Sequence, residues 1–101
     1  MSKNLTVPDD KIAEFCRRYH IRRFSLFGSV LRDDFRPDSD VDVLIEFEPG
    51  HGVGFFTLFH MEEELAGILG VAKVDLNTPL SLSERFRDKV MAGAEVHYAQ
   101  R

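Results

Sequence analysis

With 101 residues, 44% hydrophobic and 30% charged, the chain has the size and balance of one globular domain spanning 1–101. A formal net charge of -4 argues against direct nucleic-acid binding, which needs clustered cations to meet phosphates, but it does not exclude a nucleotide accompanied by a metal. No apolar run approaches the roughly 20 residues of a membrane span and no signal-peptide core is visible at the N-terminus, so a cytoplasmic protein without membrane contact is expected.

After Pro8, the residues Ile12, Phe15, Cys16 and Tyr19 fall on one face of a helix, and Asp9 and Asp10 sit where its N-terminal dipole favours anions. Cys16, the single cysteine, cannot form an internal disulfide and reads as a buried thiol on that face. Phe24 to Phe27 is a first short strand, and Ser29 is placed to cap a short helix from Val30 to Asp34. Pro37 and Asp38 make a turn, and Asp40 to Phe47 is a second strand.

Glu48 to Gly54 is a loop by composition. Its glycine spacing lacks the lysine of a phosphate-binding loop, so a mobile connector is expected. Phe55 to Leu69 is a helix with an apolar stripe at Leu58, Met61, Leu65, Ile68 and Leu69. Glu62, Glu63 and Glu64 are read as its solvated side, and Gly70 as its stop. Ala72 to Leu76 is a third strand with Lys73 and Asp75 on its polar face. Ser81 to Glu84 has the form of a capping box opening a last helix, packed through Leu82, Phe86 and Val90 and ended at Gly93. Glu95 to Ala99 alternates as a final strand. The order predicts an α/β (α+β) fold: a mixed β-sheet of about four strands, with helices packed mainly on one face.

The chemistry concentrates between Phe24 and Phe47. Alternation along the second strand puts Asp40 and Asp42 on one face and Val41, Val43, Ile45 and Phe47 on the other. Two carboxylates so close, with no cation beside them in sequence, repel each other, and a divalent cation relieves that. Each piece also has a plain reading: a turn at Gly28-Ser29, two solvated acids at Asp40 and Asp42, and an Asp75 paired with Lys73. Together they describe phosphate donors at a helix start facing three carboxylates, the makings of metal-dependent phosphoryl or nucleotidyl transfer. His20, His51, His60 and His97 lack the spacing of a helical metal pair, so surface or capping roles are expected. Arg85, Arg87 and Lys89 are read as a solvated face of the last helix.

Gly28-Ser29, ten intervening residues and Asp40-Val41-Asp42 resemble the signature of the DNA polymerase β-like nucleotidyltransferase superfamily. With the flanks Leu26-Phe27, Val43-Leu44 and Leu69 to Leu76, the chain resembles its smallest branch. These are the minimal nucleotidyltransferase (MNT) proteins, which include antitoxins of HEPN–MNT toxin–antitoxin systems. The resemblance implies that Gly28, Ser29 and Arg32 bind the nucleotide, with Arg32 either touching phosphate or bracing the loop. It makes Asp40, Asp42 and Asp75 catalytic residues and ligands of two Mg²⁺ ions, with Asp75 acting as ligand or as base. ATP is the implied substrate, and a HEPN-family ribonuclease toxin the implied partner in a hetero-oligomer. The implied reaction is transfer of AMP to a tyrosine of that toxin, silencing it. The alternatives are a non-catalytic antitoxin that acts by complex formation, and an enzyme acting on RNA or a small molecule. The chain departs from the family at Asp33-Asp34, where a glycine is frequent, and it lacks the second substrate domain of larger members.

Overall fold

The computed structural model describes residues 5–32, 35–36 and 40–100. The elements are α1 (Asp9–Arg18), β1 (Ile21–Phe27), β2 (Val41–Phe47), α2 (Phe55–Leu69), β3 (Val74–Asn77), α3 (Glu84–Gly93) and β4 (Glu95–Ala99). Short 3₁₀ turns cover Gly28–Leu31 and Pro79–Ser81. The expected end of the short helix at Asp33-Asp34, the turn at Pro37-Asp38 and Ser39 of the second motif lie outside the described residues.

The strands form one mixed sheet in the order β3-β2-β1-β4. β1 pairs antiparallel with both β2 and β4, while β2 and β3 run parallel. The helices divide between its faces as the apolar periodicities dictate. Ile12, Phe15 and Cys16 of α1 and Met61, Leu65 and Leu69 of α2 share one core with Phe24, Leu26, Val41, Val43, Ile45, Val74 and Leu76. The opposite face carries a smaller cluster in which Leu82 and Val90 cover Phe27 and Leu44. Two of the three helices therefore lie on one face, and the third covers the end of the sheet where β1 finishes. Burial pushes the Cys16 thiol up to about 12, so it is an inert core group. Among the described residues no helix is long and apolar enough to cross a membrane.

Several local expectations are corrected. β1 begins at Ile21, not Phe24, because a register shift between Ile21 and Arg23 breaks the alternation. The bulge leaves Arg22 and Arg23 both exposed, and both reach Glu46, at 3.2 Å and 3.5 Å. Ser29 lies inside the first 3₁₀ turn, whose N-cap position is Phe27, so it does not cap a helix. The box at Ser81 belongs to the second 3₁₀ turn, where the Ser81 Oγ accepts from the Thr78 N–H at 3.0 Å and donates to the Thr78 carbonyl at 2.8 Å. Ser83 is the N-cap of α3. Phe86 is 50% exposed and takes no part in the core. His97 is no surface group: its side chain is 3% exposed, with Nε2 2.7 Å from Glu95. Arg87 is not solvated either, since its guanidinium donates to the Pro79 and Leu82 carbonyls at 2.6 Å and 3.3 Å.

The three glutamates of α2 also divide their roles. Glu64 accepts from Arg18 at 2.6 Å and from the Tyr19 hydroxyl at 3.0 Å, tying α2 to the end of α1. Glu62 accepts the Leu76 backbone N–H at 2.8 Å, anchoring the edge strand β3 beside Asp75. Glu63 is left exposed. Glu62→Ala removes a charged acceptor from a half-buried backbone donor and should cost about 1–2 kcal/mol. Glu63→Ala should change stability by less than about 0.5 kcal/mol. Urea unfolding midpoints of the two variants check this, and equal midpoints would remove the anchoring role.

Candidate active site

Gly28 ends β1 with φ +76, a left-handed conformation that glycine adopts without a Cβ penalty. A Cβ built there overlaps the Asp42 carboxylate, so glycine is required by the neighbour as well as by the backbone. The turn it starts presents the Ser29 backbone N–H to the Asp42 carboxylate, and the Ser29 Oγ donates to the Asp40 carbonyl over a long 3.4 Å. Gly28-Ser29 and the Asp-x-Asp segment are thus one unit, joined across the β1–β2 pair.

The carboxylates converge through strand register. In the parallel β2–β3 pair, Asp42 is aligned with Asp75, placing the two side chains on the same face of adjacent strands. Asp40 lies just before β2, tied in place by the Val41 N–H to the Lys73 carbonyl at 3.0 Å. Asp40 and Asp75 are exposed, and Asp42 is half-buried between them.

Asp42 carries the electrostatic strain of this arrangement. Its carboxyl is held above the usual carboxylate range, first by burial and then by the charges of Asp75 and Asp40. The Ser29 N–H and the Arg32 charge oppose the shift. The expectation of no adjacent cation is corrected, because Lys73 Nζ stands 3.8 Å from Asp40 Oδ2. Lys73 therefore faces Asp40 and not Asp75. That contact was hidden in the sequence because it depends on the parallel pairing of β2 with β3. The Lys73–Asp40 pair is exposed on both sides and compensates little. All-oxygen, mutually repelling donors of this kind suit a hard divalent cation such as Mg²⁺.

A further feature was not foreseen. Beside Gly28, a recess of about 200 Å³ is lined by Phe27, Phe86, Lys89, Val90 and Gly93. Its wall is the exposed Phe86, with Lys89 at the edge. The helical spacing of Phe86 and Lys89 (i, i+3) is its sequence signal, but that spacing alone suits a core face equally well.

A small mixed sheet that gathers a glycine turn and three carboxylates at one end, from its central strands and the edge strand beside them, is the architecture of a nucleotidyl-transferring domain. The family model for the nucleotidyltransferase domain matches residues 9–97, and the chain belongs to that family. Protein adenylyltransferase MntA of Thermococcus cleftensis is 35% identical over 78 residues, covering 77% of this chain and 76% of that protein. A solved structure of a candidate minimal nucleotidyltransferase is 34% identical, covers 85% of both chains and superposes with a TM-score of 0.68. The MNT antitoxin fold in a complex with the tri-AMPylated HEPN toxin of Shewanella oneidensis is shared at a TM-score of 0.60 and 21% identity, over 91% of this chain and 70% of that one. The chain is a nucleotidyltransferase of the minimal type, as the resemblance in its motifs implied.

Proposed function

We propose that the protein is an antitoxin that transfers AMP from ATP to a tyrosine hydroxyl of a partner HEPN ribonuclease, releasing pyrophosphate. The observation that carries this reading is the alignment of Asp42 with Asp75, flanked by Asp40 and closed on the other side by Gly28-Ser29. In this reading Gly28, Ser29 and Arg32 hold the β- and γ-phosphates, so those phosphates depart together and the α-phosphate is left as the electrophile. Asp40, Asp42 and Asp75 hold Mg²⁺, which when bound supplies neutralisation of phosphate charge. Asp75, exposed at the edge strand, meets the incoming hydroxyl. The recess lined by Phe27 and Phe86 takes the nucleobase by stacking, with Lys89 at its polar edge.

A protein acceptor suits the surroundings. Asp40 and Asp75 are open to solvent, so a projecting tyrosine can reach them. On α2, Phe55, Phe56 and Phe59 are 84%, 90% and 59% exposed. Phe59 lines a recess of about 260 Å³ together with Val74 and Lys73, the partner of Asp40, so an apolar wall reaches the residue beside the carboxylates. The AMPylated toxin bound to the S. oneidensis relative of this fold, and the name of the T. cleftensis relative, support AMP as the transferred group.

The test is to incubate the protein with Mg²⁺, ATP and a HEPN toxin that it binds, then weigh the intact toxin. The toxin should gain the mass of AMP. A toxin that stays unmodified yet inhibited in a stable complex would favour antitoxin action by contact alone.

A further inference from the structure

At the opposite end of β1 and β2 from the carboxylates, three residues with no part in nucleotidyl transfer are brought together. We propose that His20, Glu48 and His51 form a second metal site, one for a Zn²⁺-class ion. This inference does not depend on the proposed function.

Local backbone geometry assembles the group. After α1 the chain reverses through His20, whose φ of +58 is the only positive value at a non-glycine among the described residues. A left-handed histidine is strained, and such strain persists where surrounding contacts impose it. Here the Ile21–Phe47 pairing places His20 across from Glu48, and the Glu48 N–H donates to the His20 carbonyl at 2.8 Å. Glu48, Pro49, Gly50 and His51 then make a tight turn closed by the His51 N–H on the Glu48 carbonyl at 3.0 Å. Proline second and glycine third at φ +79 are the signature of type II. The turn folds His51 back until its ring lies over that of His20, with centroids 4.0 Å apart and planes inclined by 15°.

One ligand atom from each of the three residues lies within 4.8 Å of the others. Glu48 Oε2 is 3.8 Å from His20 Nδ1 and is oriented by the Gln100 Nε2, which donates to it at 2.9 Å. Tetrahedral bonds of about 2.0–2.1 Å set ligand atoms roughly 3.3 Å apart, and each imidazole lone pair lies in its ring plane, so the two exposed rings close the set by rotating out of their stack. Two imidazoles and a carboxylate, with the carboxylate supported from outside, select Zn²⁺ over Mg²⁺. With β1 seven residues long, the two sites stand roughly 20 Å apart, so they load independently.

Tag-free protein titrated with ZnCl₂ against a chromophoric chelator tests the proposal. One zinc equivalent should be lost, or weakened at least about tenfold, in His51→Ala and in Glu48→Gln. The same equivalent should remain in Asp40→Asn/Asp42→Asn. Zinc should raise the melting temperature of the wild type but not of His51→Ala. His20→Gly gives a second readout: it removes a ligand while relieving the left-handed strain. Its zinc affinity should fall while the metal-free melting temperature rises. No bound zinc, or an equivalent that disappears with the aspartates and survives His51→Ala, would overturn the site.

Discussion

Replacing Asp40 and Asp42 together by asparagine is expected to abolish AMP transfer while raising the melting temperature in metal-free buffer. The two effects share one cause. The carboxyl of Asp42 is held above its ordinary range by burial and by Asp75 and Asp40. A carboxyl raised on folding favours the folded state in full only below its unfolded pKa. That contribution is lost as pH rises through the folded pKa. At neutral pH in the absence of metal the ionised group therefore opposes folding, and an isosteric amide relieves it. Loss of the ligands removes several kcal/mol of charge stabilisation, roughly a thousandfold in rate or more. Thermal melts in EDTA and initial transfer rates check both halves. A marked fall in the metal-free melting temperature would make the aspartates structural.

The second large effect is expected at Gly28→Ala. The backbone there is left-handed, which costs a non-glycine residue about 1–2 kcal/mol before any contact is counted. For a domain this small that corresponds to a melting-temperature loss of roughly 5–15 °C. The added methyl also overlaps the Asp42 carboxylate, and its simplest escape is to push that side chain out of line with Asp75. Transfer should therefore fall much further than stability alone explains, even at temperatures where the variant is fully folded. Normal transfer by a folded Gly28→Ala protein would separate the turn from the carboxylates and contradict their coupling.

Much of this was legible in the sequence because it rests on short periods. The alternation of Val41, Val43 and Ile45 against Asp42 required one buried face, and β2 has it, while the Asp42 face is polar at Asp42 and Glu46 but covered at Leu44 by α3. The stripe from Leu58 to Leu69 and the stop at Gly70 describe α2, whose C-cap glycine has φ +69. What was hidden depends on contacts between distant segments or on backbone irregularity. A bulge at Arg22 and Arg23 concealed the first half of β1. Glu62 and Glu64 look solvated in a run of three acids, yet each meets a partner on another element. The grouping of His20 with His51 needs a left-handed residue and a tight turn, neither of which a histidine spacing rule detects. At the carboxylates, residue types and spacing indicated the chemistry, but only the parallel register of β2 and β3 aligned Asp42 with Asp75 and brought Lys73 to Asp40.

The measurement that bears most directly on the proposed reaction is label transfer from ATP. If Gly28, Ser29 and Arg32 grip the β- and γ-phosphates, those groups leave as pyrophosphate and the α-phosphate stays with the acceptor. Protein, Mg²⁺ and the cognate HEPN toxin are incubated in parallel with α-labelled and γ-labelled ATP. Label from the α-position alone should appear on the toxin, and Asp75→Asn, at the edge strand where the hydroxyl enters, should transfer none. Label arriving from the γ-position would make the protein a kinase and contradict the assignment of the phosphates to Gly28 and Ser29.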